Sequence, residues 1–174
     1  WSPDGKWIAY SVGGANELVP SRIYQIPAAG GEPRQMAPNL PWAVQPMYSL
    51  DGQYLFFQGA EGLAPVVEHD LWVVPVQGGP AAPTGAFRIM ADQLKVPRHD
   101  FIWLSLDVAD RKVFLVWAGQ IWEMDLTGPA WRASGPARPL TTRSTLSSVR
   151  SGGGGRLVMS NRLSALHLWR LRLD

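Results

Sequence analysis

The chain has 174 residues, 46% of them hydrophobic and 17% charged, and a formal net charge of only +2 from 16 basic and 14 acidic side chains. That balance excludes a disordered chain and supplies no strong electrostatic pull toward a polyanion. Cysteine is absent, which excludes a disulfide framework, thiol chemistry and thiolate metal sites, and no run approaches the roughly 18 apolar residues of a membrane helix.

The 18 glycines and 15 prolines fall mostly between short apolar runs, the punctuation of many short strands and tight turns. In chain order, the first unit (1–41) opens on the turn Ser2-Pro3-Asp4-Gly5. A strand over 7–12, a loop over 13–21, a second strand over 22–27 carrying Ile23-Tyr24, and a Gly30-Gly31 turn into a strand over 33–36 follow. The second unit (42–96) predicts an inner strand over 46–48, the turn Ser49-Leu50-Asp51-Gly52, strands over 54–57 and 70–76 with Leu71-Trp72, and a Gly78-Gly79 turn into a short strand over 82–84. An irregular stretch over 85–100 then lengthens the distance between Ser49 and Ser105 to 56 residues, and its segment 87–94 predicts one or two helical turns.

The third unit (97–143) reads as an inner strand over 101–104, a degraded turn Ser105-Leu106-Asp107 running to Arg111, strands over 113–117 and 120–126 with Ile121-Trp122, an excursion over 128–135 and a strand over 138–141. The fourth (144–174) has an inner strand over 146–149, a turn at Ser151 and Gly152 to Gly155, and strands over 157–159 and 167–173 with Leu168-Trp169. The aromatics of the four pairs, Tyr24, Trp72, Trp122 and Trp169, stand 48, 50 and 47 residues apart. Propeller repeats have a period of roughly 40–50 residues. The expected fold is therefore all-β: a β-propeller with about four antiparallel four-stranded blades visible in one domain over 1–174. The first unit lacks an inner strand and the fourth an outer one, so a segment of a larger ring, continued in the rest of a parent polypeptide, is expected.

Residues 1–10 and 23–31 resemble the repeat of TolB-type β-propellers, a Ser-Pro-Asp-Gly-Lys turn, an apolar strand, and an Ile-Tyr strand ending at Gly-Gly. The resemblance spans the chain and decays in the last two units. It implies a propeller whose family includes a periplasmic envelope component, gating domains of prolyl-oligopeptidase-like peptidases and sensory tails of bacterial regulators. The stretches 72–80 and 84–87 look most like tails attached to serine/threonine kinases or winged-helix regulators. An extracytoplasmic location is implied by the resemblance only.

No Gly-x-Ser-x-Gly elbow, phosphate-binding Gly-x-x-x-x-Gly-Lys loop or paired zinc spacing occurs. The expectation is a non-catalytic module, with no cofactor and no metal. Asp4, Gly5, Asp51 and Gly52 read as structural turn residues, the carboxylates accepting nearby N–H groups and the glycines taking positive φ. The aromatic column reads as blade packing. Seven arginines crowd the last third, from Arg138 to Arg172, without an interleaved stacking pattern, and read as solvated rather than as a nucleic-acid footprint. Two clusters remain, Glu68-His69-Asp70 and Arg98-His99-Asp100, each where a loop enters a strand. His69, Asp70, Arg98, His99 and Asp100 are the candidate binding residues if both clusters open on one rim; Asp70 and Asp100 also read simply as strand-start residues. Arg88 and Arg98 on the insertion are placed to hold an acidic partner. A protein, peptide or small ligand on the loop rim is the expected partner.

Overall fold

The computed structural model describes residues 1–14, 19–63, 68–97, 106–142, 146–151, 156–162 and 166–172. The first blade comprises β1 (Trp7–Gly13), β2 (Ser21–Pro27) and β3 (Arg34–Met36), and the second β4 (Trp42–Tyr48), β5 (Tyr54–Ala60), β6 (Asp70–Pro75) and β7 (Ala82–Pro83). A helix, α1 (Ala86–Leu94), precedes the third blade: β8 (Leu106–Ala109), β9 (Lys112–Trp117), β10 (Gln120–Thr127) and β11 (Arg132–Pro139). The fourth has β12 (Leu146–Ser151), β13 (Arg156–Arg162) and β14 (Leu166–Arg172). Within each blade successive strands pair antiparallel, and one parallel bridge, Ser21 to Trp42, joins the first two blades.

Among the described residues, the period-2 alternation of the strands builds three separate cores between neighbouring blades. In β6, Trp72 and Val74 turn back toward Ile23 and Met36 of the first blade, while Leu71 and Val73 turn forward toward β9, β10 and α1. The third blade repeats this: Trp122, Met124 and Leu126 pack on the second blade, and Ile121 packs on Val149 and Leu157 of the fourth. Trp72 and Trp122 thus fill the gap to the preceding blade. Tyr24 is half-buried and stacks on Tyr10, with ring centroids 5.7 Å apart. Among the described residues backbone hydrogen bonds cross each boundary, including Ser21 N to Pro41 O at 3.2 Å, Ala133 N to Thr84 O at 2.9 Å, and Leu146 N to Gly119 O at 2.9 Å.

The two Ser-x-Asp-Gly turns are near-copies. Ser2 Oγ donates to Asp4 Oδ1 at 2.6 Å and accepts from Trp7 N at 2.9 Å; Ser49 Oγ donates to Asp51 Oδ1 at 2.6 Å and accepts from Tyr54 N at 3.0 Å. The same carboxylates accept from Lys6 N and Gln53 N. These hydroxyl and amide donors hold Asp4 and Asp51 below the ordinary carboxylate range. Gly5 and Gly52 have φ of 70° and 69°, where a side chain is strained. Ser49 is buried. Ser49→Ala is therefore expected to cost about 1–2 kcal/mol by leaving Tyr54 N–H and Asp51 short of a partner. Urea denaturation checks this, and a midpoint unchanged from the parent would refute it.

The third blade departs from the sequence expectation in two places. Asp107 does not form the turn; it lies within β8 opposite Phe114, and the chain reverses at Asp110 and Arg111, with φ of 49° and 62°. Two consecutive left-handed residues make a two-residue hairpin, so the longer Ser-x-Asp-Gly turn is replaced. The Asp107 carboxylate instead accepts from Ser151 N and from Val108 N, tying the third blade to the fourth. Second, the region 128–135, expected as an excursion, runs directly into an eight-residue outer strand, β11, which pairs with β10 across a register shift between Glu123 and Asp125. The residues expected as an inner strand at 101–104 lie outside the described residues.

Candidate binding cleft

Asp70 opens β6 and faces the start of α1. Its Oδ1 accepts from Leu71 N at 2.8 Å and Phe87 N at 3.1 Å, and its Oδ2 accepts from Gly85 N at 2.7 Å. Thr84 Oγ1 accepts from Ala86 N at 3.2 Å. Gly85 sits at the helix N-cap with φ 84° and has no side chain with which to cap, so the second blade supplies the cap through Asp70. Burial pushes the Asp70 pKa up to about 6, against the three N–H bonds and the Arg88 charge, which favour the carboxylate.

His69, beside it, is buried and meets Trp42 edge-on, with ring centroids 5.0 Å apart and planes at 72°. Trp72 donates from Nε1 to Gly59 O at 3.0 Å, and the missing side chain of Gly59 makes the approach possible, since a Cβ there would lie 2.9 Å from Trp72 Cδ1. His69, Asp70, Trp72 and Thr84 form the floor of a cleft of about 750 Å³. Glu61 and Glu68, from the connection between β5 and β6, also line it, as do Arg88 of α1 and Arg132 of β11. Arg132 is steadied by a bond from its guanidinium to Pro83 O at 2.6 Å, leaving further N–H donors for other partners.

Of the five candidate binding residues, His69 and Asp70 lie together in this cleft. Arg98, His99 and Asp100 lie outside the described residues. Asp4, Gly5, Asp51 and Gly52 sit in their turns away from it. Sequence reasoning missed Glu61 and Arg132 as cleft residues. Glu61 is a lone charge in a variable loop, and Arg132 reaches the cleft only because β11 starts earlier than expected. A second, smaller cavity of about 200 Å³ lies between the Ser49 turn and the hairpin of the third blade, bordered by Asp51, Arg111 and Trp131. Among the described residues no three His, Cys, Asp or Glu side chains gather as metal ligands, and no helix is long and apolar enough to cross a membrane.

Antiparallel units of three and four strands, packed face to face with Trp72 and Trp122 turned into the gap before the second and third, are the blades of a partial β-propeller. The particular folds it is similar to are TolB-like and protease propellers. A protein assigned as TolB in Agrobacterium tumefaciens superposes with a TM-score of 0.62 at 18% identity, over 99% of this chain and 60% of that one. The β-propeller domain of the Trilobed protease from Pyrococcus furiosus, described as having an open velcro topology, matches with a TM-score of 0.51 at 15% identity, over 97% of this chain and 52% of that one. The tricorn protease matches with a TM-score of 0.55 at 10% identity, over 97% of this chain and 20% of that one. The chain thus spans at most 60% of the length of these structures, and the likeness is one of fold. No family model matches the chain, and no curated protein matches it.

Proposed function

We propose that this chain is a non-catalytic propeller module that binds a protein, peptide or small ligand at the cleft between its second and third blades, as the sensory or interaction region of a larger bacterial regulatory protein. The cleft carries this reading: a sheet and a docked helix hold buried His69, Trp72 and Thr84 and half-buried Asp70 among charged side chains, the combination of shaped lining and polar contacts that ligand sites use. Variable connections on a rigid scaffold are where propellers place binding groups. The kinase-tail or winged-helix-tail assignment rests on the stretches 72–80 and 84–87.

The test is thermal denaturation against a panel of amino acids, short peptides, sugars and simple anions, in the parent and in Ala133→Trp, which places a large ring in the cleft. A ligand that raises Tm in the parent and not in the variant supports the reading; no hit, or hits indifferent to Ala133→Trp, overturns it. No turnover is expected. Hydrolysis of a chromogenic ester or peptide that survived repurification and vanished in His69→Ala would overturn the non-catalytic assignment.

A second reading is favoured by the two protease propellers among the similar folds: a substrate-gating propeller whose peptidase domain lies elsewhere in a parent polypeptide. A TolB-like envelope scaffold is the corresponding reading of the Agrobacterium likeness. The complete parent reading frame separates the three, since a kinase or winged helix, a hydrolase domain, or a secretion signal without either would each select one.

A further inference from the structure

The charges at the cleft are sorted by element. Both glutamates belong to the connection between β5 and β6, and the arginines belong to α1 and β11. Two other cations of the third blade are ion-paired within the chain: Lys112 bonds Glu123 at 2.9 Å, and Arg138 lies 3.2 Å from both Glu123 and Asp125. Among the described residues neither Arg88 nor Arg132 is within ion-pair distance of a carboxylate, and Glu61 is without a cation. Asp70 does not serve Arg88 as a close partner, because its oxygens are turned to three backbone N–H groups. Arg88 stands in the first turn of α1, whose N-terminal N–H groups are already served by Asp70, so a ligand anion would meet the guanidinium itself rather than the helix terminus. A guanidinium suits a planar carboxylate, and a carboxylate suits an ammonium. Trp72 also lines the cleft and supplies an aromatic surface.

We propose that the cleft binds a zwitterionic ligand, a short peptide with both ends free, its carboxylate held by Arg88 and Arg132 and its ammonium by Glu61, with Glu68 alongside. The volume of about 750 Å³ accommodates such a ligand. This deepens the reading of the cleft as a binding site and rests on it.

The test is calorimetric titration of the full chain with tri-alanine, its N-acetyl form and its C-terminal amide. Tri-alanine is expected to bind, and blocking either end to weaken it by about tenfold or more, as for loss of a charge-assisted contact. In the double variant Arg88→Gln, Arg132→Gln the amide and the free acid should bind alike. In Glu61→Gln the acetylated and free amines should bind alike. Circular dichroism confirms that both variants fold, and their exposed positions leave the core untouched. Blocked peptides binding as tightly as tri-alanine would overturn the proposal. So would a singly charged or neutral ligand whose thermal shift is abolished by Ala133→Trp while tri-alanine fails to bind; the cleft would then stand as a site and the zwitterion would not. If no probe binds the cleft, both fall.

Discussion

Trp131→Ala is expected to destabilise the protein by about 3–5 kcal/mol, the cost of deleting a large buried aromatic and leaving its cavity. Trp131 stands just before β11, yet its ring is buried against the second blade, edge-on to Tyr54 at 5.3 Å and to Phe56 at 5.0 Å. The Arg111 guanidinium covers it 3.9 Å from the ring centroid, a cation–π contact that also closes one wall of the smaller cavity. Its backbone has φ 52°, a conformation that costs an L-residue about 1–2 kcal/mol, so packing has to hold the residue there. Removing the ring loses the packing and keeps much of the backbone cost. Trp131→Phe should lose less than half as much, because a smaller ring still meets Phe56. Urea denaturation followed by far-ultraviolet circular dichroism gives both values, and a loss under about 1 kcal/mol for Trp131→Ala would show that the junction of the second and third blades does not depend on it.

Stability is also expected to rise as pH falls from 7 toward 4.5, through Asp70. Its folded-state pKa of about 6 lies above the ordinary 3.8, so the folded state holds the proton more tightly than the unfolded chain does. The resulting stabilisation is fully present below 3.8 and is lost as pH rises through about 6. From 3.8 to about 6 the full effect is about 3 kcal/mol, of which about 2 kcal/mol falls between pH 7 and pH 4.5. Asp107, also raised by burial, acts in the same direction. The difference between the parent and Asp70→Asn therefore isolates Asp70: the parent should gain about 2 kcal/mol more than the variant over that interval. At pH 7 the variant should lose the grip on α1, since an amide nitrogen facing Gly85 N or Phe87 N places donor against donor. Parallel pH profiles for the two proteins would refute the assignment of the titration to Asp70.

The architecture was readable from sequence because it depends on period. The pairs Ile23-Tyr24, Leu71-Trp72 and Ile121-Trp122 recur at one blade's spacing, and their alternation is what turns each aromatic to one face and each aliphatic to the other. The turns with an intact Ser-x-Asp-Gly pattern were readable for a local reason, since Ser49 and Asp51 satisfy each other within four residues. The third turn was not. Asp107 has the right residue type, but Asp110 and Arg111 take the left-handed conformations, and neither is a glycine that would have marked the reversal. The cleft was half visible. His69 and Asp70 stand out as adjacent polar residues at a strand start, whereas Arg132 joins them because β11 begins at Arg132, opposite Thr127, where the sequence reads as an excursion.

Gln93 gives the insertion a second role. Its side-chain Nε2 donates to Ala137 O at 2.9 Å and its Oε1 accepts from Ala137 N at 2.8 Å, so one amide group reproduces a rung of a β-ladder on the outer edge of β11. That edge is the outermost of the third blade, and a bare edge of this kind is a template for pairing with another chain. By lying along it, α1 spends a single glutamine to end the sheet. The helix that the insertion contributes is therefore also a guard against edge-to-edge association, and Gln93→Ala, which frees the rung while leaving the buried Phe87 and Met90 in the core, should appear first as self-association of the folded protein rather than as unfolding.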